Sequence, residues 1–316
     1  MPALISGSIA YDTIMVFRDR FRNHVLPDQV HILNVAFLVE DMRKEFGGCA
    51  GNIAYNMRLL GDDGICLSTV GRDFEQYREW MDRWQIRRDH VLELDSHYTA
   101  QAYITTDLDD NQITAFHPGA MSEAHQVQVP AGSDARIGIL APNGRDGMLQ
   151  HAQQFAAQGI PFIFDPGQGL PMFGNDELRL FTEQATWLAV NDYESQLLQE
   201  RTGLTLEQMA AQVEALVVTR GVQGSWIYTD GRCLEIPAAP ATAVNDPTGC
   251  GDAYRAGLIH GLLRGLDWEV TGRIASLMGS LKVAHHGTQN HRFTADQFAD
   301  AYQQAFGAAL PAGALD

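Results

Sequence analysis

From about residue 136 onward, short apolar runs alternate with amphipathic stretches, and few folds accommodate that rhythm. The runs are IGIL (137–140), PFIFD (161–165), TWLAV (186–190) and LVVT (216–219). Each is strand-sized and apolar throughout, as in strands covered on both faces. Between them lie QHAQQFAAQ, a stretch around 176–183, and DYESQLLQERTG, whose Gly203 suits a helix C-cap. Repeated strand–helix units of this kind predict an α/β domain with a mainly parallel central sheet between two helix layers. SWIYTD-GR-CLEIP (225–237) predicts a hairpin turning near Asp230-Gly231. Three helices are predicted after it, over 250–264, 268–284 and 294–305, and the residues past Ala309 read as a loose tail.

The first 120 residues break the rhythm. A strand over 3–7 and a helix opening at Gly47-Gly48 fit the main domain. Residues 12–46 and 99–118 instead alternate apolar with polar, with a turn at Asp109-Asp110-Asn111. Two separated insertions of that character predict one small β-sheet standing off the main domain as a lid, and lids exclude water from a reaction. The expected division is 1–11, 47–98 and 119–308 for the main domain, 12–46 and 99–118 for the lid, and 309–316 for the tail.

A net charge of −17 argues against nucleic acid or an anionic membrane as partner, since no broad basic face can be assembled. No apolar run approaches the ~20 residues that span a bilayer. The chain opens on an apolar, strand-like stretch with no basic region or cleavage site, so no secretory signal is expected. Cys49, Cys66, Cys233 and Cys250 show no CxxC spacing, which fits reduced thiols in a cytoplasmic protein. Lys44 and Lys282 are the only lysines, and neither follows a glycine. The P-loop pattern is therefore absent, as is GxGxxG. Any bound nucleoside triphosphate would rest on backbone amides, metal and arginine.

One segment has the makings of such an anion site: Asp246-Pro247-Thr248-Gly249-Cys250-Gly251-Asp252, followed by AYRAGLIHGLLRG. It reads as a tight loop feeding a helix. A helix start leaves N–H groups unpaired and carries partial positive charge. Gly249 and Gly251 let the backbone press against a ligand, and Asp252 can accept a proton beside it.

Four boxes, in order and spanning most of the chain, resemble those of the ribokinase-like carbohydrate kinases (the phosphofructokinase-B type). They are Gly7-Ser8-Ile9-Ala10-Tyr11-Asp12, Gly47-Gly48-Cys49-Ala50-Gly51-Asn52, Asn191-Asp192-Tyr193-Glu194 and the loop at 246–252. Thr219-Arg220-Gly221 with Gly224 adds a weaker match. The N-terminal half is similar to the nucleoside kinase branch.

The resemblance implies a ribokinase-like three-layer fold and transfer of the γ-phosphoryl of ATP to a primary hydroxyl. It implies Asp252 as general base, with Gly249, Cys250 and Gly251 as amide donors to the transferred group. Asp12, Gly47, Gly48 and Asn52 would bind the sugar, with Gln101 and Phe116 from the lid. Asn191, Thr219, Arg220, Gly221 and Gly224 would line the nucleotide. Asn191 and Glu194 would organise Mg2+ through water. A monovalent cation, potassium, is implied at Asp246, Thr248 and Gly287. Cys250 stands where the family usually has Ala or Gly, and Pro247 where Thr is common.

The expected lid is apolar at Ile14, Phe17, Phe37, Ile104, Phe116 and Met121. A purine asks for apolar faces whereas a free sugar wants polar walls. The expected acceptor is therefore a nucleoside (adenosine, inosine or guanosine). Packing of the lid's own core would explain the same residues. A sugar kinase of the same family and a non-catalytic sensor stay as alternatives, as do monomer and homodimer through the lid.

Overall fold

A computed structural model describes residues 2–24, 35–109 and 111–315. Residues 25–34 of the expected lid segment and Asp110 of the expected turn lie outside them. The large sheet starts from β1 (Pro2–Ser6), whose residues from Ala3 on are fully buried. To one side of β1 run β4 (Asp63–Gly71) and β5 (Val91–Leu94). To the other run β8 (Ile137–Leu140), β9 (Phe162–Phe164), β10 (Trp187–Asn191) and β11 (Ala215–Thr219), all parallel. The antiparallel hairpin β12 (Ser225–Thr229) and β13 (Arg232–Ile236) completes that edge, turning through Asp230 and Gly231, both at positive φ. The chain order reverses between β1 and β8. Open α/β sheets bind ligands at such a point, outside the carboxyl ends of their strands.

Alternate residues of each strand feed two cores. Ile5 and Val217 join α1 (Cys49–Leu59) and α7 (Cys250–Leu263) on one face. Leu4, Leu216 and Val218 join α3 (Arg145–Gln158), α4 (Asn175–Gln184) and α5 (Asp192–Thr202) on the other. Gly203 ends α5 in the left-handed region, as its position predicts. A smaller core lies between α8 (Trp268–Val283) and α9 (Ala295–Phe306). Among the described residues no helix is long and apolar enough to cross a membrane.

The second sheet has the order β3-β2-β6-β7, from β2 (Ala10–Val16), β3 (Asp41–Gly47), β6 (Ala100–Thr106) and β7 (Gln112–His117). Its β2–β3 pair leaves the main domain just after β1 and returns just before α1, at the carboxyl edge of the large sheet, and its β6–β7 pair is a second insertion between β5 and β8. Every residue of β7 is exposed.

The tail is not loose at its far end. Ala314 is fully buried and its carbonyl accepts from His260 Nε2. His260 Nδ1 lies 2.6 Å from Asp62 Oδ2, and Arg264 donates to Asp62 Oδ1 at 2.7 Å. The C-terminal segment thus covers a buried polar cluster that would otherwise meet water. Its small apolar residues gave the pattern of a tail because the partner lies on a distant helix. Truncation after residue 308 is expected to cost about 1–3 kcal/mol through the bared polar groups. A truncated protein melting together with the full chain would show that the segment carries nothing.

Candidate active site

The loop 246–252 enters α7 through Gly249, whose φ of 78° places it in the left-handed region that favours glycine. Asp246 fixes the loop, its Oδ1 accepting from Thr248 N and its Oδ2 from Gly287 N, both at 2.9 Å. The Cys250 N–H does not face the ligand side as expected. It closes a turn onto the Pro247 carbonyl at 3.2 Å. The free amides of this first turn, among the described residues, are those of Gly251 and Asp252, and Gly251 has open space where a side chain would stand. An anion therefore meets these two unpaired N–H groups at a helix N-terminus, beside that of the N-cap residue Gly249, which likewise has no partner among the described residues.

Asp252 sits in the same turn. Its Oδ2 accepts from Asn52 Nδ2 at 2.7 Å. Asn52 is buried, and its Oδ1 is taken by Gln289 Nε2 at 3.0 Å. Gln289 is held in turn by Tyr77 and by Trp80 Nε1. The amide of Asn52 is thus oriented from both ends and positions Asp252, while its second Nδ2 N–H has no partner among the described residues. Burial pushes the Asp252 carboxyl up to about 7, against the Asn52 hydrogen bond and with help from the Asp165 charge. One side of this carboxylate still faces the opening, so a substrate that covers it completes the desolvation.

Asp12 lies on β2 opposite Glu45 of β3. Burial pushes its carboxyl up to about 6, and the nearby carboxylates of Asp246 and Glu45 add to the rise. A side chain at Gly47 would displace the Asp12 carboxylate, because a Cβ there would lie 2.5 Å from Asp12 Oδ2. Gly48, at φ 85°, turns the chain into α1. Cross-strand partners share a face, so Asp12 and Ile14 share theirs with Ala102, Ile104 and Phe116. Gln101 pairs with Tyr11 on the opposite face and donates to Thr13 at 2.7 Å, away from Asp12. Its expected place among the substrate ligands is corrected accordingly. The apolar set also divides. Phe17 stacks with Phe21 and lies 4.8 Å from Phe37, ring centre to centre, as the lid's own core. Met121 belongs to a 3-10 helix over Gly119–Gln126, off the lid strands. Ile14, Ile104 and the half-exposed Phe116 stay with Asp12.

On the other side of the switch point, Asn191 and Thr219 are register partners at the ends of β10 and β11. Asn191 and Glu194 cap α5 reciprocally, each side chain accepting from the other's backbone N–H at 2.7 and 2.8 Å. Glu194 keeps a second carboxylate oxygen, and burial, then the Asp165 charge, raises its pKa. Two crowded acids against one arginine make a place that a cation fits. Among the described residues no cluster of three or more His, Cys, Asp or Glu could hold a metal by itself. Magnesium there would rest on water and phosphate oxygens as much as on Glu194 and Asn191. The segment Thr219–Gly224 is a tight turn in which Arg220 stacks over Trp226 at 3.8 Å.

Four residues outside the expected set complete the site. Gln289 orients Asn52. Asp165, at the carboxyl end of β9, pairs with Arg255 at 3.0 Å, both buried. Arg255 stands one helical turn after Asp252, and Lys282 holds the Asp246 carbonyl at 2.6 Å. Asp165 carries the same signal as Asp12, an acid just past an apolar strand. Lys282 was marked only by its rarity, and Gln289 by nothing local.

The pfkB family carbohydrate kinase pattern matches residues 13–294 of this chain, which takes in Asp12's neighbours, the anion loop and Gln289. This chain belongs to the pfkB family. Such a kinase is a phosphotransferase with an alcohol acceptor, and its architecture is the ribokinase-like α/β fold with a sheet lid. This pfkB kinase is similar to a nucleoside kinase of Methanocaldococcus jannaschii, at 32% identity over 84% of this chain and 87% of that protein. It is similar also to the nucleoside kinase of Burkholderia thailandensis. In complex with inosine, that protein matches with a TM-score of 0.89 and 49% identity, covering 97% of this chain and 99% of that one. In complex with ADP-inosine the TM-score is 0.87 at 50% identity, covering 98% and 97%.

A carboxyl at about 7 that must accept a proton works only when ionised. Activity of this pfkB kinase is therefore expected to climb as pH rises toward that value and to level off above it. Asn52→Ala removes the hydrogen bond that favours the charged form, so the inflection moves up. A pH–rate profile of kcat/KM in both proteins checks this. An inflection that stays put in the variant would separate Asn52 from the base.

Proposed function

We propose that this chain is an ATP-dependent nucleoside kinase, moving the γ-phosphoryl of ATP to the 5′-hydroxyl of adenosine, inosine or guanosine. The observation that carries the reading is the first turn of α7, where one poised carboxylate adjoins two unpaired amides. Asp252 accepts the proton of the attacking hydroxyl, held toward it by Asn52. The amides of Gly251 and Asp252, with the turn at Gly249, receive the oxygens of the transferred phosphoryl. Phosphoryl transfer asks mainly for positioning and charge stabilisation, which fixed dipoles supply without reorganisation. Magnesium, when bound, supplies charge neutralisation at the phosphates, and Asn191 and Glu194 would hold it through water. Thr219, Arg220, Gly221 and Gly224 border the nucleotide.

The acceptor's class follows from the lid. Asp12 suits two vicinal ribose hydroxyls, with Gly47 giving them room. A base attached to that ribose continues along the same face, over Ile14, Ile104 and Phe116. An apolar strip there favours a base over the polar flank of a free sugar. Similarity to kinases named for nucleosides, one of them in complex with inosine, supports the same choice.

The test is ADP release with Mg·ATP against adenosine, inosine, guanosine, cytidine, ribose and fructose. Purine nucleosides are expected to turn over, and Asp252→Asn to lose about a hundredfold to ten-thousandfold in kcat. Turnover of free sugars alone would reassign the acceptor. In a second variant, Phe116→Ser, KM for nucleosides is expected to rise roughly tenfold with kcat little changed.

A further inference from the structure

The cation site implied by family resemblance at Asp246, Thr248 and Gly287 is already filled by this chain. Lys282, in the last turn of α8, is fully buried. Its Nζ donates to the Asp246 carbonyl at 2.6 Å and to the His285 carbonyl at 3.3 Å, with Asp246 Oδ1 at 3.9 Å. All three partners are acceptors, which suits an ammonium with three N–H groups. Several neighbouring oxygens are taken too. The Ala284 carbonyl accepts from Asn245 Nδ2 at 2.7 Å, and the His286 carbonyl from Asn290 Nδ2 at 2.9 Å. The Val283 carbonyl receives the N–H groups of Asn245 and Asp246. Both carboxylate oxygens of Asp246 are held by Thr248 and Gly287. A monovalent ion there would compete with these donors for oxygens and lie beside a fixed positive charge. The site does not fit potassium.

We propose that Lys282 is the resident cation of the anion-binding loop, a positioning residue that makes turnover independent of potassium. The ammonium ties the end of α8 to Asp246, and Asp246 in turn sets Thr248 and Gly287. Through that loop it aims the free amides of Gly251 and Asp252. Burying an ammonium is costly unless acceptors and opposite charge compensate it, and here two carbonyls accept from it and the Asp246 carboxylate lies 3.9 Å away. Burial lowers the lysine's pKa, and the Asp246 charge opposes that fall.

The test uses the full chain in tetramethylammonium, sodium and potassium salts at matched ionic strength. ADP release with inosine is expected to agree among the three within about twofold, and substrate-free melting temperatures within about one degree, because an ion that does not bind does not stabilise. Potassium activation beyond twofold, or a rise in melting temperature specific to potassium, would overturn the proposal. Lys282→Met is expected to lose about tenfold or more in kcat while KM for the nucleoside moves less than about threefold, since the loop acts on the transferred group. A folded variant with full kcat in tetramethylammonium would also overturn it. If the variant does not fold, the wild-type salt series decides alone. The kinetic arms rest on the nucleoside kinase reading, whereas the melting arm does not. Absence of turnover with every acceptor would count against that reading only.

Discussion

The hydrogen bond from Asn52 to Asp252 joins the two halves of the reaction. Asn52 stands in the first turn of α1, directly after the glycines that receive the lid. Asp252 stands in the first turn of α7, directly after the glycines proposed to receive phosphate. The two helices pack side by side beneath the sheet edge, so a 2.7 Å contact sets one frame for both substrates. Fixing a carboxylate in this way removes a rotamer that would otherwise be frozen during the reaction. Gln289 makes the frame rigid from behind, because it leaves the Asn52 amide no second orientation.

The electrostatics are arranged in depth. The chain carries a net charge of −17, and the phosphate donor proposed for it is an anion. The resolution lies in where the few local cations sit. Arg255 is buried below the catalytic turn against Asp165, and Lys282 is buried behind the loop against Asp246. Each is paired, so neither competes with the amides for phosphate. They compensate the acids that the site needs, and the backbone meets the ligand. Two nitrogens of Arg255, Nε and Nη1, have no hydrogen-bond partner in this buried setting, which leaves its positive field directed at Glu194 as well as Asp165.

What the sequence made legible was what is local. Strand–helix alternation past residue 136 is a period, and a period survives without knowledge of partners. The anion loop was legible for the same reason, since turn, glycines and acid lie within seven consecutive positions. Contacts across the chain were not. The part Asn52 plays in orienting Asp252 was hidden because its acceptor and donor stand 200 and 237 residues away. Gln101 failed on parity. A strand shows successive residues to opposite faces, so a position next to the right one lies on the wrong side. Phe17 and Phe37 failed on competition, because a small sheet needs a core of its own before it can offer an apolar wall to a ligand.

The two cysteines flanking Asp252, the proposed general base, fit the same electrostatic logic. Cys250 replaces a smaller residue in the loop, and Cys49 lies against Asp252 at the start of α1. A thiolate at either place would put a further negative charge where phosphate must enter. Burial pushes the Cys250 thiol up to about 11, against the pull of Lys282. Cys49 is raised further, by burial first and then by the Asp252 and Asp165 charges. Both therefore remain neutral at physiological pH, acting as small soft packing groups with weak S–H donors. Burial is the first cause of that neutrality, and the carboxylates that add to it include Asp252, the base of the proposed mechanism. Pro247 is accommodated on similar terms. It lacks an N–H, but both Asp246 oxygens already take theirs from Thr248 and Gly287, and its carbonyl still closes the turn onto Cys250.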